Sequence, residues 1–346
     1  MTKSYPSRMR ICALFSTLPP LLALACQTMP GDPAGGNANA AGNPGAGSSV
    51  NSPTLFVLDG QFGVTSYANA LAANGNVAPV TNLTFVNDSV PRSLVVTRTG
   101  QLIVSRIDDS LFIFDNAGTL SGTVPPDRVV KGDDTLFNFP QSLALDVAND
   151  RLFVAGNHAT DGILVFDNVS SDSFDGNVAP SRTFSPDSIA PMNVTAMSLD
   201  SRGALFAHDN NTDFIAVFAD AGALSGVTVP TQIFTSDAWA SLAHLTVDVN
   251  DVLYVVDRSD SVFIFRNAST LNGDVTPDST LIPKGDVQLN NVVVAPNGRG
   301  FLSDNIHDAV ISFANIASRS GSVAPDATIV GSRTEIHNPF QLFLAP

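Results

Sequence analysis

From residue 53 to residue 346 the chain is a succession of apolar runs four to six positions long, separated by turns of Asp, Asn and Gly, with no stretch of helical period. Runs of this length, rich in Val, Ile, Leu and Phe, predict strands and an all-β domain. The strands come in pairs. Leu102–Ser105 with Leu111–Phe114, Leu152–Ala155 with Ile163–Phe166, Leu205–Ala207 with Ile215–Phe218, Leu253–Val256 with Val262–Phe265, and Phe301–Leu302 with Val310–Phe313 read as hairpins of one design. Leu55–Leu58 with Val64–Tyr67 is a further hairpin ahead of them.

A second pattern sets their spacing. Six segments place a proline four residues after a glycine: Gly75-Asn-Val-Ala-Pro79, Gly122-Thr-Val-Pro-Pro126, Gly176-Asn-Val-Ala-Pro180, Gly226-Val-Thr-Val-Pro230, Gly273-Asp-Val-Thr-Pro277 and Gly321-Ser-Val-Ala-Pro325. The steps between the glycines are 47, 54, 50, 47 and 48 residues, the period of a propeller blade rather than of a helical solenoid. The second repeat gives the strands of a blade as Asp127–Lys131, Ser142–Asp146, Arg151–Ala155 and Ile163–Phe166. After the last motif only Ala327–Val330 and Phe340–Leu344 remain, so two strands from each end of the domain are expected to share one blade. The fold expected is a six-bladed β-propeller of four-stranded antiparallel blades, its last blade closed by strands from both termini and leaving no unpaired edge at the seam.

The run Pro140-Gln-Ser-Leu-Ala-Leu-Asp146, the turn through Arg151, Leu152-Phe-Val-Ala155, Asn157-His158 and Ile163-Leu-Val-Phe166 resembles an NHL repeat. The resemblance spans 53–346 and extends to gluconolactonase-like and streptogramin-lyase-like propellers. It implies the fold, whereas function varies among such propellers, which serve as enzymes, binding platforms and scaffolds. The gluconolactonase-like enzymes hold a divalent metal at the channel with Glu, Asn and Asp ligands. Here the sole glutamate is Glu335, before the last strand, and no motif of that family matches residue by residue. The His and Glu arrangement of the lyases is not matched either, and there is no Gly-x-Ser-x-Gly elbow or phosphate-binding loop.

The N-terminus gives a compartment. Lys3, Arg8 and Arg10 precede an apolar stretch, Ile11–Ala25, too short for a mature membrane span, so residues 1–25 read as a secretory signal. The signal ends Leu22-Ala-Leu-Ala-Cys26, which resembles a bacterial lipobox with Cys26 as the lipid acceptor. Cys12 would leave with the signal, so no intramolecular disulfide is expected. Residues 26–52, rich in Gly, Ala, Asn and Pro, read as a tether. The expected location is outside a bacterial cell, lipid-anchored at the outer membrane or cell surface, with Gln27 in place of the Asp that retains some lipoproteins at the inner membrane.

Charge narrows the partners. The chain carries −15, and loss of the signal would leave −18, which excludes nucleic acid and anionic lipid as partners. Nearly all of that charge is aspartate, a turn residue. Asp109, Asp161, Asp213, Asp260 and Asp308 precede the second strand of their hairpins, and Asp59, Asp209, Asp257 and Asp304 follow the first. They read as turn formers more readily than as a ring of cation ligands. Asp146–Asp150 and Asp248–Asp251 crowd acids without the spacing of a calcium-binding hand, and calcium remains the one cofactor considered, none being required. His158, His208, His244, His307 and His337 show no metal-ligand spacing and are expected to be structural or on the surface.

The mature chain has two lysines, Lys131 and Lys284, each followed by Gly-Asp. Placed on the first strand of opposite blades, they are candidates to flank the channel mouth and hold a carboxylate or phosphate. The function expected is a monomeric, non-enzymatic binding or interaction module for a protein, a polysaccharide or a small anion. The alternative is a metal-dependent lactonase or esterase with its site at the channel mouth.

Overall fold

Every predicted hairpin forms the middle of a blade. A computed structural model describes residues 52–345 apart from 61–62, 87–88, 157–161 and 187–191. From the channel outward, blade 1 runs Pro339–Ala345, Thr54–Asp59, Gly63–Tyr67 and Thr81–Thr84. Blade 2 runs Pro91–Val96, Leu102–Arg106, Ser110–Phe114 and Arg128–Lys131; blade 3, Pro140–Asp146, Arg151–Gly156, Ile163–Asp167 and Arg182–Pro186. Blade 4 runs Val194–Leu199, Leu205–Asp209, Phe214–Phe218 and Gln232–Thr235; blade 5, Leu242–Val247, Val252–Asp257, Ser261–Arg266 and Ser279–Pro283. Blade 6 runs Leu289–Val294, Gly300–Asp304, Ala309–Phe313 and Ala327–Ile329. Within each blade these neighbours pair antiparallel.

The apolar runs are nearly continuous because each blade is buried on both faces, and alternation along a strand decides which neighbour a side chain meets. In blade 5, Leu253 and Val255 join the core shared with blade 4, while Val252, Tyr254 and Val256 join the core shared with blade 6. Six such cores, one between each pair of adjacent blades, hold the ring.

The motif glycines clasp the outer circumference. All six lie at φ between 69° and 79°. Each pairs in parallel with the outer strand of the preceding blade: Gly122 with Leu83, Gly176 with Val130, Gly226 with Phe184, Gly273 with Phe234, Gly321 with Leu281 and Gly75 with Ile329. A left-handed Asn or Asp starts the turn that delivers them: Asn69, Asn116, Asn168, Asp220, Asn267 and Asn315. Asn and Asp enter that region at less cost than other residues that carry a Cβ.

Two sequence expectations are corrected. The strand after each Gly-x-x-x-Pro motif pairs backward with the preceding hairpin, as Arg128–Lys131 does with Ser110–Phe114, and is the outermost strand of its blade rather than the first. Ala327–Ile329 therefore completes blade 6, and the seam in blade 1 joins three N-terminal strands to one C-terminal strand, Pro339–Ala345. Periodicity gives the repeat length; which strand pairs with which is a tertiary fact.

Candidate binding site at the channel mouth

Each inner strand is entered from the outer strand of the previous blade, so all six run in the same sense and begin at one mouth of the channel. At that beginning each carries a register shift against its neighbour. The shift falls between Pro91 and Ser93, Pro140 and Ser142, Val194 and Ala196, Leu242 and His244, Leu289 and Val292, and Pro339 and Gln341. The extra residues are Arg92, Gln141, Thr195, Ala243, the Asn290–Asn291 pair and Phe340. A bulge leaves one residue out of the ladder and re-aims it, which is why bulges gather beside functional sites. Three of the strands open on a proline, tolerated at a first strand position because it owes the ladder no donor.

The loops that feed these bulges are held by buried aspartates. Asp209 Oδ1 accepts the Asn193 N–H at 2.8 Å, Asp257 Oδ2 those of Ala240 and Ser241 at 2.9 and 2.8 Å, and Asp304 Oδ1 that of Gln288 at 3.1 Å. Burial raises the Asp257 carboxyl pKa, but donors from Ser259, Ser241 and Ala240 outweigh it and hold the group below its usual value. The second set of aspartates works between blades: Asp109, Asp260 and Asp308 accept N–H bonds from Phe139, Leu289 and Asn338 at the head of the next inner strand. At the opposite end of the channel, Asp146 bonds Asn149, and Asp248 bonds the Asn250 and Val252 amides and the Tyr254 hydroxyl. Among the described residues no three His, Cys, Asp or Glu side chains gather as a metal would require.

Just below the bulges the inner strands place a polar tier: Ser93, Ser142, His244, Asn291 and Gln341, with Ala196 in the sixth place. Gln341 Nε2 donates to Ser93 Oγ at 3.0 Å, and Ser93 Oγ accepts the Leu143 N–H at 3.1 Å, so side chains cap strand edges that face the channel. Deeper, Leu94, Leu143, Met197, Leu245 and Leu342 line a cavity of about 210 Å³. His244 reaches this cavity, its Nδ1 has no partner, and burial lowers its pKa to about 4. At neutral pH the ring is uncharged, with one donor and one acceptor nitrogen.

His208 is fully buried. Its Nδ1 lies 2.9 Å from Thr195 Oγ1 and its Nε2 lies 3.5 Å from Asp213 Oδ1. Burial lowers its pKa, against Asp213, which raises it. Nε2 makes no hydrogen bond at that distance; with its proton there, the neutral ring would leave Nδ1 to accept the Thr195 hydroxyl proton.

Lys131 and Lys284 are not at the mouth. Lys131 ends the outer strand of blade 2 and its Nζ donates to the Asp108 carbonyl at 2.9 Å, while Lys284 follows the outer strand of blade 5. The channel placement is corrected for the same reason as the strand order. Among the described residues Arg92 is the basic side chain carried on a bulge of the mouth, which no motif announced because a bulge depends on the partner strand. His307 bonds Asp304, and His337 is exposed. Cys26, His158 and Asp161 lie outside the described residues.

No protein-family model matches the chain, and no curated protein matches it in sequence. Among solved structures it is similar to a chain of the nidogen/laminin complex, at 14% identity with a TM-score of 0.58, over 85% of this chain and 98% of that one. That likeness bears on the fold.

Proposed function

We propose that this chain is a lipid-anchored propeller that binds a ligand at the channel mouth, outside a bacterial cell, and acts as an interaction module. The observation that carries the reading is the contrast between positions within the repeat. Where the fold makes a demand, the residues recur: six motif glycines, six left-handed Asn or Asp, buried aspartates holding loops. At the bulges, where the backbone makes no demand on the side chain, the blades present Arg, Gln, Thr, Ala, Asn and Phe. Six different side chains on six equivalent rigid sites make an asymmetric recognition surface on a symmetric frame. The similar propeller occurs in a protein complex, which supports the same class of role. The Leu22–Cys26 sequence supports the anchor, and replacing Cys26 with Ser should release the protein and abolish palmitate incorporation. A photo-crosslinking residue at Gln141 tests the mouth in intact cells: it should give a defined adduct that the same residue at Thr84, on the outer rim, does not give. Equal adducts from both positions would refute the placement.

A second, hydrolytic reading rests on Thr195, His208 and Asp213. The ring is placed to take the hydroxyl proton as Oγ1 attacks an ester or lactone carbonyl, with Asp213 stabilising the imidazolium. Turnover of aryl esters or lactones that His208→Gln abolishes would favour it; no turnover by the wild-type chain would remove it.

A further inference from the structure

Arg92 differs from the other arginines withdrawn from solvent. Arg106 donates to the Ser89 carbonyl and lies 3.6 Å from Asp108; Arg128 holds Asp115; Arg151 and Arg182 hold Asp167; Arg299 donates to Ser312; Arg319 holds Asp326. Arg92, half-buried at the bulge of blade 2, has no ion pair among the described residues, and its buried Nε has no acceptor. Its one described partner is the Phe139 ring, 5.2 Å from the guanidinium carbon. Burial lowers its pKa, with no carboxylate acting against it. A cation partly removed from water with no counterion among the described residues is costly, and it stands here in a chain of net charge −15. An anion arriving from outside would supply the missing partner.

The surroundings define that anion. One guanidinium offers a planar fork that fits a carboxylate in two parallel bonds. One guanidinium offsets the single charge of a carboxylate, but not both charges of a dianionic phosphate. Phe139 is half-buried at the head of the next inner strand, and Phe340, 37% exposed, occupies the equivalent bulge of blade 1 on the other side. Gln141, at the bulge of blade 3, supplies an amide, which bonds hydroxyl groups from either end. Carboxylate, apolar ring faces and several hydroxyls together describe one chemical class.

We propose that the sector of the mouth formed by blades 1 to 3 binds a uronic acid unit of an acidic polysaccharide, its carboxylate on Arg92 and its ring against Phe139 and Phe340. The proposal rests on the reading of the mouth as a binding site and gives that site its ligand class.

Calorimetry on the full chain tests it with four probes: a galacturonic acid trisaccharide, its methyl ester, the neutral galactose trisaccharide, and a short peptide with a free C-terminal carboxylate. The acid should bind at least tenfold more tightly than the ester or the neutral sugar. Arg92→Ala should erase that difference, and Arg92→Lys should retain part of it. Phe340→Ala should weaken acid and ester alike. Thermal melts of the variants check that each is folded, and Phe139→Leu supplies a second route should Arg92→Ala fail to fold, with weakening of all the saccharides expected. Acid and ester bound equally by the wild type, or a preference that survives Arg92→Ala, overturns the inference. If Phe340→Ala still weakens binding in that case, the mouth reading stands without it. Binding of the peptide but of no saccharide overturns the ligand class, and saccharide binding insensitive to both Arg92→Ala and Phe340→Ala overturns the mouth reading as well.

Discussion

Replacement of Gly226 by Ala isolates the conformational part of the circumferential clasp. Gly226 has φ +70°, and a Cβ built on it meets no atom within 4 Å, so the substitution creates no clash. What remains is the cost of a left-handed alanine, about 1–2 kcal/mol. It is offset by about 0.4–1 kcal/mol because the unfolded chain loses freedom when glycine is removed. The net loss should be about 1 kcal/mol, and Gly226→Asn should cost less than Gly226→Ala because Asn tolerates this region. Gly300 provides the contrast. No left-handed φ is required there, but a Cβ would lie 2.4 Å from Ile316 Cδ1 and 3.0 Å from its Cβ, inside the core of blades 5 and 6. Overpacking of that kind costs about 1–3 kcal/mol or more, and Asn should be worse than Ala. Guanidinium unfolding followed at the single tryptophan, Trp239, buried against Phe265, reads both series. A loss well beyond 2 kcal/mol for Gly226→Ala, or the same Ala-to-Asn order at both sites, would refute the division between strain and packing.

Three further outcomes are expected. His244 has a pKa of about 4 in the folded chain against about 6.5 unfolded, so the unfolded state takes up the proton first as pH falls; the stability held above pH 6.5 is lost on acidification, by about 2 kcal/mol at pH 5. His244→Gln should flatten that part of the pH dependence, and parallel curves for the two proteins would contradict it. Truncation before Pro339 removes the strand that pairs with Thr54–Asp59, exposing an unpaired edge at the seam, so the product should be insoluble or oligomeric by size-exclusion chromatography, and a monomer with native stability would count against the closure. Lys131→Ala with Lys284→Ala should leave ligand binding unchanged, because both residues lie on the outer rim; loss of binding would return the site to the lysines.

The repeat length, the hairpins and the recurrence of Asp at turns were legible because each is a local property of the chain. Leu253–Val256 and its equivalents must be strands whatever surrounds them, and Gly273 must take a positive φ once its turn is made. The phase of the blade was not legible. Arg128–Lys131 is as good a strand beside Ser110–Phe114 as beside Pro140–Asp146, and only packing chooses. That one-strand offset moved Lys131 from the channel to the rim. Arg92 and Phe340 escaped notice for a related reason, since a bulge is a register difference between two strands and leaves no mark on either alone. His244 and His208 read as isolated histidines until the ring brought them to the channel cavity and to Thr195 and Asp213.

The central claim is that recognition sits on the varied bulge residues at the channel mouth. An array of acidic and neutral saccharides and extracellular proteins, probed in parallel with the wild-type full chain, a Gln141→Ala/Phe340→Ala variant and the Lys131→Ala/Lys284→Ala variant, tests it most directly. The account predicts that the ligands bound by the wild type are lost or strongly weakened for the mouth variant and kept by the rim variant. Ligands kept by the mouth variant and lost by the rim variant would contradict it.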